Sequence, residues 1–441
     1  MVVRTSVRRV EPQWDDLPVR GHGYAPGIVC LFLRLVLVAG VSLRGASRVI
    51  ATISEALGLE LPVPHWTTGR LWLLRLGHAM RMAELVEADD WAWLIDHSVQ
   101  IGQEKCLVIL GIRLSDLPQR GQSLRHEDLE LVELLPAKSW TRSEVDQALE
   151  NAVQRTSRPP RVIVSDYGVD IKGGITLFQQ RHRQTVDIYD AKHKAACLLK
   201  NRLEKNPRWQ EFQTRIGQTR CAVQQTELAF LTPPATRPKA RFMNLGRQLA
   251  WAKRILAILR DPPPSVRRLV SAERMEEKFG WMKGFVDEAI DWSQWQQVVD
   301  VTVTLVNREG IYRGVTRLLS RQLSQLDAMR PGGKQLAGEL IKFVRSEERK
   351  TKPEERFPGS TEVLESCFGK FKQLEKQQSR GGFTQLLLGF GALLAKLTTD
   401  TVREMMQASR TIDVRAWAAQ TLGVTLFAQR KLAFEGATED G

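Results

Sequence analysis

The sequence predicts an α/β protein with a mixed β-sheet covered by helices on both faces, a helical insertion inside it and a trihelical region before it. Three observations support this fold class. Apolar residues recur at helical spacing over 26–86, strand-like apolar runs alternate with helical stretches over 91–190, and strand signals nearly vanish beyond 206. A chain of 441 residues with ordinary hydrophobic content can form several domains around a large core.

The first region consists of three helical stretches, separated at 40–42 and at 61–64. The third stretch carries Arg70 and Arg75 on a basic face, while leucine and tryptophan side chains supply an apolar face. Such a triplet predicts a helix-turn-helix reader of DNA, with Arg70 and Arg75 as DNA contacts. The alternative is a small helical bundle whose basic face is simply solvated.

The sheet is predicted from the change of period after residue 90. Strand-like runs cover 91–96, 105–112, 129–135, 161–166 and 185–190. Between the third and fourth runs, Thr141 and Glu144 form a capping-box pattern that begins a helix, and Pro159-Pro160 ends it. A hairpin-linked set of strands followed by alternating units predicts a mixed sheet with helices on both faces.

The remainder of the chain is predicted to be helical. The stretch over 207–359 contains long amphipathic patterns with several tryptophans, and further helices are expected at 361–377 and 383–397. The predicted division is therefore an N-terminal arm at 1–25, the trihelical domain at 26–87, the first part of the sheet domain at 88–206, the helical insertion at 207–359, the last helices of the sheet domain at 360–400, and a C-terminal helical segment and tail at 401–441.

Composition limits the class of protein. The chain has 64 Lys and Arg against 50 Asp and Glu, a net charge of +14, which favours nucleic acid first and an acidic membrane surface second. The five cysteines form no CxxC pair and indicate a reducing compartment. The most apolar run, 28–43, is interrupted by Arg34 and shorter than the roughly 20 residues of a membrane span. We expect no secretion signal and no membrane segment.

Two aspartates stand where apolar strands end. Asp96 follows four apolar residues in the first strand, and Asp166 ends the fourth directly before Tyr167-Gly168. An ionised carboxylate at such a place loses hydration and needs a partner, and a divalent metal held between two carboxylates is a common one. For either residue alone, the alternative is an aspartate that caps a strand end and turns the chain.

These motifs resemble those of the DDE transposases of bacterial insertion sequences, and the order of elements is that of an RNase H-like domain. The resemblance spans about 89–372 with a helical insertion inside it, and the segments that carry it are 94–98, 164–168, 187–194 and 360–370. It implies a metal site built by Asp96, Asp166 and a glutamate of the last helix of that domain.

The resemblance leaves two candidates for the third acid, Glu365 and Glu362, one helical turn apart. Several DDE families place a lysine seven residues after the catalytic glutamate, and Lys372 stands at that interval from Glu365. The upstream tyrosine and arginine of the family pattern are absent, with Pro358 and Thr361 in their places. We therefore favour Glu365, with Glu362 as the alternate.

The implied activity is metal-dependent cleavage of transposon ends and their joining to target DNA. Carboxylates are the ligands that Mg²⁺ prefers, and two Mg²⁺ ions, for which Mn²⁺ can substitute, serve this chemistry without a covalent protein intermediate. The resemblance implies double-stranded DNA as partner, a homodimer on paired ends, and a bacterial, cytoplasmic protein associated with the nucleoid. Rival interpretations are an RNase H-like nuclease or resolvase that does not join strands, and a non-catalytic DNA-binding protein derived from a transposase.

Basic residues near the acids are predicted to contact DNA phosphates. They follow Asp166 and Asp190 or lie on the helix of Glu365, and they are Lys172, Arg181, Lys192, His193, Lys370 and Lys372. The alternative for each is a solvated surface charge. Asp190 and His193 are further candidates for groups that orient the metal ligands.

Overall fold

The structure is a computed structural model that describes residues 18–101, 104–235, 242, 245–326, 328–377, 384–423 and 426–436. Most of the predicted arm at 1–25, residues 102–103 between the first two predicted strands, and the end of the predicted tail lie outside the described residues.

The strands, β1 to β7 in chain order, are Trp91–Ile101, Glu104–Arg113, Glu130–Ala137, Val162–Ser165, Val186–Tyr189, Ile311–Tyr312 and Arg356–Phe357. The helices, α1 to α18, are Pro26–Leu37, Leu43–Leu57, Trp66–Met82, Arg142–Thr156, Val169–Arg181, Ala191–Leu203, Pro207–Val223, Leu245–Arg260, Pro264–Arg267, Ala272–Phe279, Val286–Glu309, Val315–Ser324, Pro331–Glu348, Glu362–Glu375, Gly389–Ala392, Thr399–Ala408, Thr411–Leu422 and Leu426–Gly436.

The predicted mixed sheet is confirmed. It has five strands in the order β3-β2-β1-β4-β5. The first three are joined antiparallel, whereas β4 and β5 run parallel to β1. The predicted capping box is also present at α4, where the Glu144 backbone N–H donates to Thr141 Oγ1 at 3.3 Å and Thr141 N–H donates to Glu144 Oε2 at 2.7 Å. The central strand is thus β1, which carries Asp96.

Side chains of β1 alternate between two cores, as the pleat of a strand requires. Trp93 and Ile95 pack with α4 and α5 on one face of the sheet, while Ala92 and Leu94 belong to the larger core on the other. Asp96 follows the second set by alternation. That face is covered by α6 and by α14, which contacts β1 directly.

The insertion, α7 to α13 with the two-stranded β6–β7 sheet, packs beside the large sheet through contacts of α11 and α13 with α6. Its core is aromatic: Trp209, Phe212, Phe285 and Trp292 are buried, and their rings meet edge to face or at a tilt. The large apolar rings therefore hold the insertion together, which is the ordinary use of tryptophan.

The three predicted N-terminal helices are present, but they do not form an independent bundle. Helix α3 is buried throughout Trp72–Met80 and packs against α15, α16 and α17 near the other end of the chain. The predicted helix at 383–397 is wrong in length: within the described residues of that range, a 3₁₀ turn at Gln385–Leu388 leads into the four-residue α15.

Glycines explain this difference. A Cβ added at Gly77 would lie 1.7 Å from the Leu388 carbonyl oxygen, and one added at Gly391 would lie 2.9 Å from the Gly77 carbonyl oxygen. The glycine spacing at 389–391 therefore serves a close approach to α3 rather than a long helix. Across the parts of the chain that the structure describes, no helix combines the length and apolarity of a membrane span.

Candidate active site

Three aspartates lie at one level of adjacent parallel strands: one is within β1, and the other two directly follow β4 and β5. Ile95 of β1 is paired with Ser165 of β4, and Ser165 is paired with Tyr189 of β5. The next residues along the three strands are Asp96, Asp166 and Asp190. Parallel strands in register thus bring together carboxylates that lie up to 94 residues apart in the sequence.

Asp96 is the most perturbed of these acids. Burial raises the pKa of Asp96 well above its usual range, and the charges of Asp166, Glu365 and Asp190 raise it further against a hydrogen bond from the His97 backbone. Two of the predicted acids, Asp166 and Glu365, therefore lie close enough to Asp96 to act on its charge. A cation at this place would favour the ionised form of Asp96.

Asp166 is held by the turn that follows β4. Its Oδ1 accepts the Gly168 N–H at 2.8 Å, at the point where the chain enters α5. Tyr167, between them, has a φ of 60°, in the left-handed region that non-glycine residues seldom adopt.

The Tyr167 side chain anchors this turn to the neighbouring strand, β5. Its ring stacks on Tyr189 with centroids 4.4 Å apart and planes 5° apart, and its hydroxyl donates to Asp187. Lys172 Nζ also bonds Asp187 and lies 4.2 Å from the centre of the Tyr167 ring. Burial works against ionisation of Asp187, but the hydrogen bonds from Lys172 and Tyr167 lower its pKa to about 2. Lys172, a predicted DNA contact, is thus already paired with Asp187 within the protein.

Helix α14 presents its two glutamates differently. Glu365 acts on Asp96, whereas Glu362 accepts a hydrogen bond from the Asn307 amide and lines a groove on the other side. Lys192 Nζ bridges the two, at 2.8 Å from Glu365 and 3.1 Å from Glu362. Burial lowers the pKa of Lys192, but the hydrogen bond and charge of Glu365, with those of Glu362, raise it above the usual range.

Asp190 fixes the start of α14 against α6. It is 2% exposed, and its Oδ1 caps α6 by accepting the His193 N–H at 2.7 Å. Its Oδ2 accepts the backbone N–H and the hydroxyl of Thr361 at 2.6 and 2.7 Å. A single buried carboxylate therefore joins the helix of Lys192 to the helix of Glu365, which agrees with an orienting role for Asp190.

The described residues contain no group of three or more His, Cys, Asp and Glu side chains that could hold a metal ion as they stand. Carboxylate oxygens are nevertheless the donors that a divalent cation prefers, and the charges of Asp166, Glu365 and Asp190 all act on the half-buried Asp96, so a bound cation would relieve their repulsion. In this structure the ammonium of Lys192 offsets the glutamate charges from one side.

Arg75 requires a correction. It is 8% exposed, and its guanidinium donates to the carbonyl oxygens of Ser409 at 2.6 Å and Met406 at 2.7 Å, at the C-terminal end of α16. A buried guanidinium that binds the last carbonyls of a helix stabilises the fold and cannot reach a DNA phosphate. The part of the predicted basic face that carries Arg75 is covered by the C-terminal helices. Arg70, one turn earlier, is half-buried and lines a groove between α2, α3 and α14.

The other predicted DNA contacts divide by position. Arg181 is paired with Asp146 at 2.5 Å and with Glu150 at 2.8 Å, on the α4–α5 face away from the carboxylates. Lys370 lies 3.3 Å from His126 Nε2, and Lys372 is exposed farther along α14. His193 meets Asp190 through its backbone N–H. Their contact with DNA stays a prediction.

A groove of about 420 Å³ with a net positive charge opens beside α14. Its charged lining residues are Arg125, Arg308, Arg356 and Glu362, with His126 beside them, and the rest of the lining is uncharged and includes several apolar side chains. The sequence does not predict this groove, because Arg308 precedes β6 and Arg356 lies on β7, and the pairing of these two-residue strands has no sequence motif.

No protein-family model matches the chain, and no curated protein matches it.

Proposed function

We propose that this chain is a DDE-type DNA transposase that binds transposon ends and carries out metal-dependent phosphodiester cleavage and strand transfer. The observation that carries the proposal is the register of β1 and β4, which sets Asp96 and Asp166 at one level of the sheet, together with Glu365 of α14, whose charge also acts on Asp96. The strand order β3-β2-β1-β4-β5 supports the RNase H-like arrangement that the motifs imply.

The chemistry assigns a task to each side chain. Asp96, on the central strand, would contact both metal ions, with Asp166 and Glu365 each holding one side. When bound, two Mg²⁺ or Mn²⁺ ions polarise the attacking oxygen and stabilise the leaving oxygen of the same phosphodiester. Asp190 keeps the Glu365 helix at the sheet, and the Tyr167 turn keeps Asp166 at the level of Asp96.

The proposed partner is double-stranded DNA, bound by a homodimer on paired ends. The net charge of +14 and the basic groove beside Glu362 support a polyanionic substrate next to the carboxylates.

The test is a strand-cleavage and joining assay on plasmid DNA that carries the element ends, with Mg²⁺ or Mn²⁺. We expect Asp96→Asn and Asp166→Asn to lower cleavage by about a thousandfold or more, since several kcal/mol of transition-state stabilisation would be lost. Both variants should still bind duplex DNA. Cleavage by purified Asp96→Asn at the parent rate would refute the assignment.

The products also separate the rival functions. Cleaved ends without joined strands would indicate a nuclease or resolvase, and DNA binding without metal-dependent cleavage would indicate a non-catalytic DNA-binding protein.

A matched pair of substitutions decides the third acid. Glu365→Gln should abolish cleavage as Asp96→Asn does, whereas Glu362→Gln should keep it within about tenfold, because Glu362 faces Asn307. Both remove one negative charge beside Lys192, so the general effect of charge is matched. The reverse order of activities would move the third ligand to Glu362.

A further inference from the structure

A second basic groove, of about 720 Å³, lies on the insertion between the start of α12 and the end of α13. It is lined by four exposed arginines, Arg313, Arg317, Arg345 and Arg349, which we call the arginine groove. None of these residues belongs to the carboxylate site or to the motifs that predicted it.

The positive charge of the arginine groove is only partly offset from within, because four arginines face one carboxylate. Its one acidic lining residue is Glu348, whose Oε1 and Oε2 accept the backbone N–H groups of Gly314 and Thr316 at 2.8 Å each. Glu348 therefore caps α12. Among the residues that the structure describes, no carboxylate lies within 4 Å of the guanidinium groups of Arg317, Arg345 or Arg349.

The spacing of the arginines suits several anionic groups rather than one. Arg345 and Arg349 are four residues apart at the end of α13, where four residues of helix rise about 6 Å. Arg317 lies in the first turn of α12, and Arg313 lies in the turn that precedes this helix. Guanidinium groups bind phosphate oxygens through two parallel hydrogen bonds, which favours them over lysine at such a surface.

The basic surface continues from the arginine groove toward the carboxylates. Arg356, on β7, lines the groove beside Glu362, and Arg313 directly follows β6, so the paired strands β6 and β7 connect the two grooves. Arg120 stacks on Tyr312 of β6, 3.9 Å from its ring centre. Burial lowers the pKa of Arg356, and the neighbouring charge of Arg120 lowers it further. Cations are therefore crowded along this pair of strands.

We propose that the arginine groove binds the phosphate backbone of duplex DNA outside the cleavage site, an inference that rests on the proposed function. The lining residues favour this partner over a protein or a membrane. Besides the arginines and Glu348, they are Gly314, Thr316 and Ser320, so the groove offers no apolar side chain. Protein partners are anchored mainly by apolar and aromatic side chains, and membrane surfaces take up apolar ones. A uniformly charged backbone needs neither.

The test measures binding of the full-length chain to fluorescent duplex oligonucleotides in EDTA, over a range of KCl concentrations. The test variant carries Arg317→Ala with Arg349→Ala. The matched control carries Arg215→Ala with Arg254→Ala, which removes the same charge from exposed sites on α7 and α8. A third variant carries Arg317→Lys with Arg349→Lys and keeps the charge.

We expect the test variant to bind about tenfold or more weakly at moderate salt, and its slope of log affinity against log salt to fall by about two. The loss should be equal on two unrelated sequences, because phosphate contacts carry no sequence information. The control and the lysine variant should keep slopes within about half a unit of the parent. Circular dichroism confirms that each variant is folded.

Three results of the DNA-binding assay would overturn the proposal: an unchanged salt slope in the test variant, an equal loss of affinity in the control, or a loss of affinity for only one of the two sequences. A fourth result would also overturn it. If the test variant kept its DNA binding but lost binding to phosphatidylserine vesicles, the groove would be a membrane site. If the parent itself does not bind duplex DNA, the proposed function fails as well. If the parent binds and cleaves while the test variant matches it, only the arginine groove proposal fails.

Discussion

Replacement of Asp187 by asparagine tests how strongly the turn that holds Asp166 is stabilised. The Asp187 side chain is 15% exposed and accepts hydrogen bonds from Tyr167 and Lys172, which lower its pKa from 3.8 to about 2. Since one pKa unit corresponds to about 1.4 kcal/mol, the ionised form contributes about 2 kcal/mol to the free energy of unfolding.

The sign follows from the lowered pKa. The unfolded chain takes up a proton near pH 4 and the folded chain only near pH 2, so the contribution is complete above about pH 5 and is lost as the pH falls through this window. We expect the free energy of unfolding of Asp187→Asn at pH 7 to be about 2 kcal/mol lower than that of the parent. The difference from the parent should shrink as the pH is lowered from 5 toward 3.

Urea denaturation at a series of pH values measures both effects. The matched control is Asp261→Asn, because Asp261 is 81% exposed and its pair with Arg267 contributes little. A constant difference between parent and Asp187→Asn from pH 7 to pH 3 would refute the reasoning, since the loss would then come from packing and not from charge. In the cleavage assay, Asp187→Asn should also lower the rate, because the Tyr167 turn loses its anchor beside Asp166.

Three further predictions concern other parts of the molecule. Arg75→Met should lower the free energy of unfolding by about 3 kcal/mol, because two charge-assisted hydrogen bonds are lost. The salt slope of duplex binding should not change in this variant, and a slope reduced by about one would show that Arg75 contacts DNA. Gly77→Ala should cost about 1–3 kcal/mol in urea denaturation, whereas Gly217→Ala, at an open helix site, should be neutral or stabilising; equal effects would contradict the close approach at Gly77. Mn²⁺ at about a hundred times its dissociation constant should stabilise the parent by about 2.7 kcal/mol in thermal unfolding, and equal stabilisation of Asp96→Asn would place the ion elsewhere.

The sheet and the neighbouring positions of Asp96 and Asp166 were predictable because their signals are local. Apolar runs precede both residues, although β1 continues past Asp96 to Ile101, and the strand register sets both residues at one level. Their role as metal ligands stays a prediction. The choice between Glu365 and Glu362 as the third acid was harder to make from the sequence. Both lie on one helix, and what separates them is Asn307, a residue of the insertion that no helical period can place.

Arg75 and Gly391 show why other predictions failed. Helical periodicity predicted a basic face on α3 but could not reveal that helices at 389–422 cover Arg75. The segment at 383–397 was predicted to be one helix, whereas its glycines permit a backbone to approach Gly77. In both cases the deciding partner lies more than 300 residues away in the sequence.

The bonds from Arg75 to Met406 and Ser409 join residues 331 and 334 positions apart. During synthesis, α3 therefore leaves the ribosome long before its covering helices exist, and its leucine-rich face has no native partner until α16 and α17 have been made. A fragment limited to 26–87 should expose this face and aggregate, so the helices at 26–82 are a late-completed part of the fold. A chain truncated after residue 398 would keep the carboxylates of the candidate site. It would lack the helices that cover α3, so the core beside the carboxylates would be open to solvent.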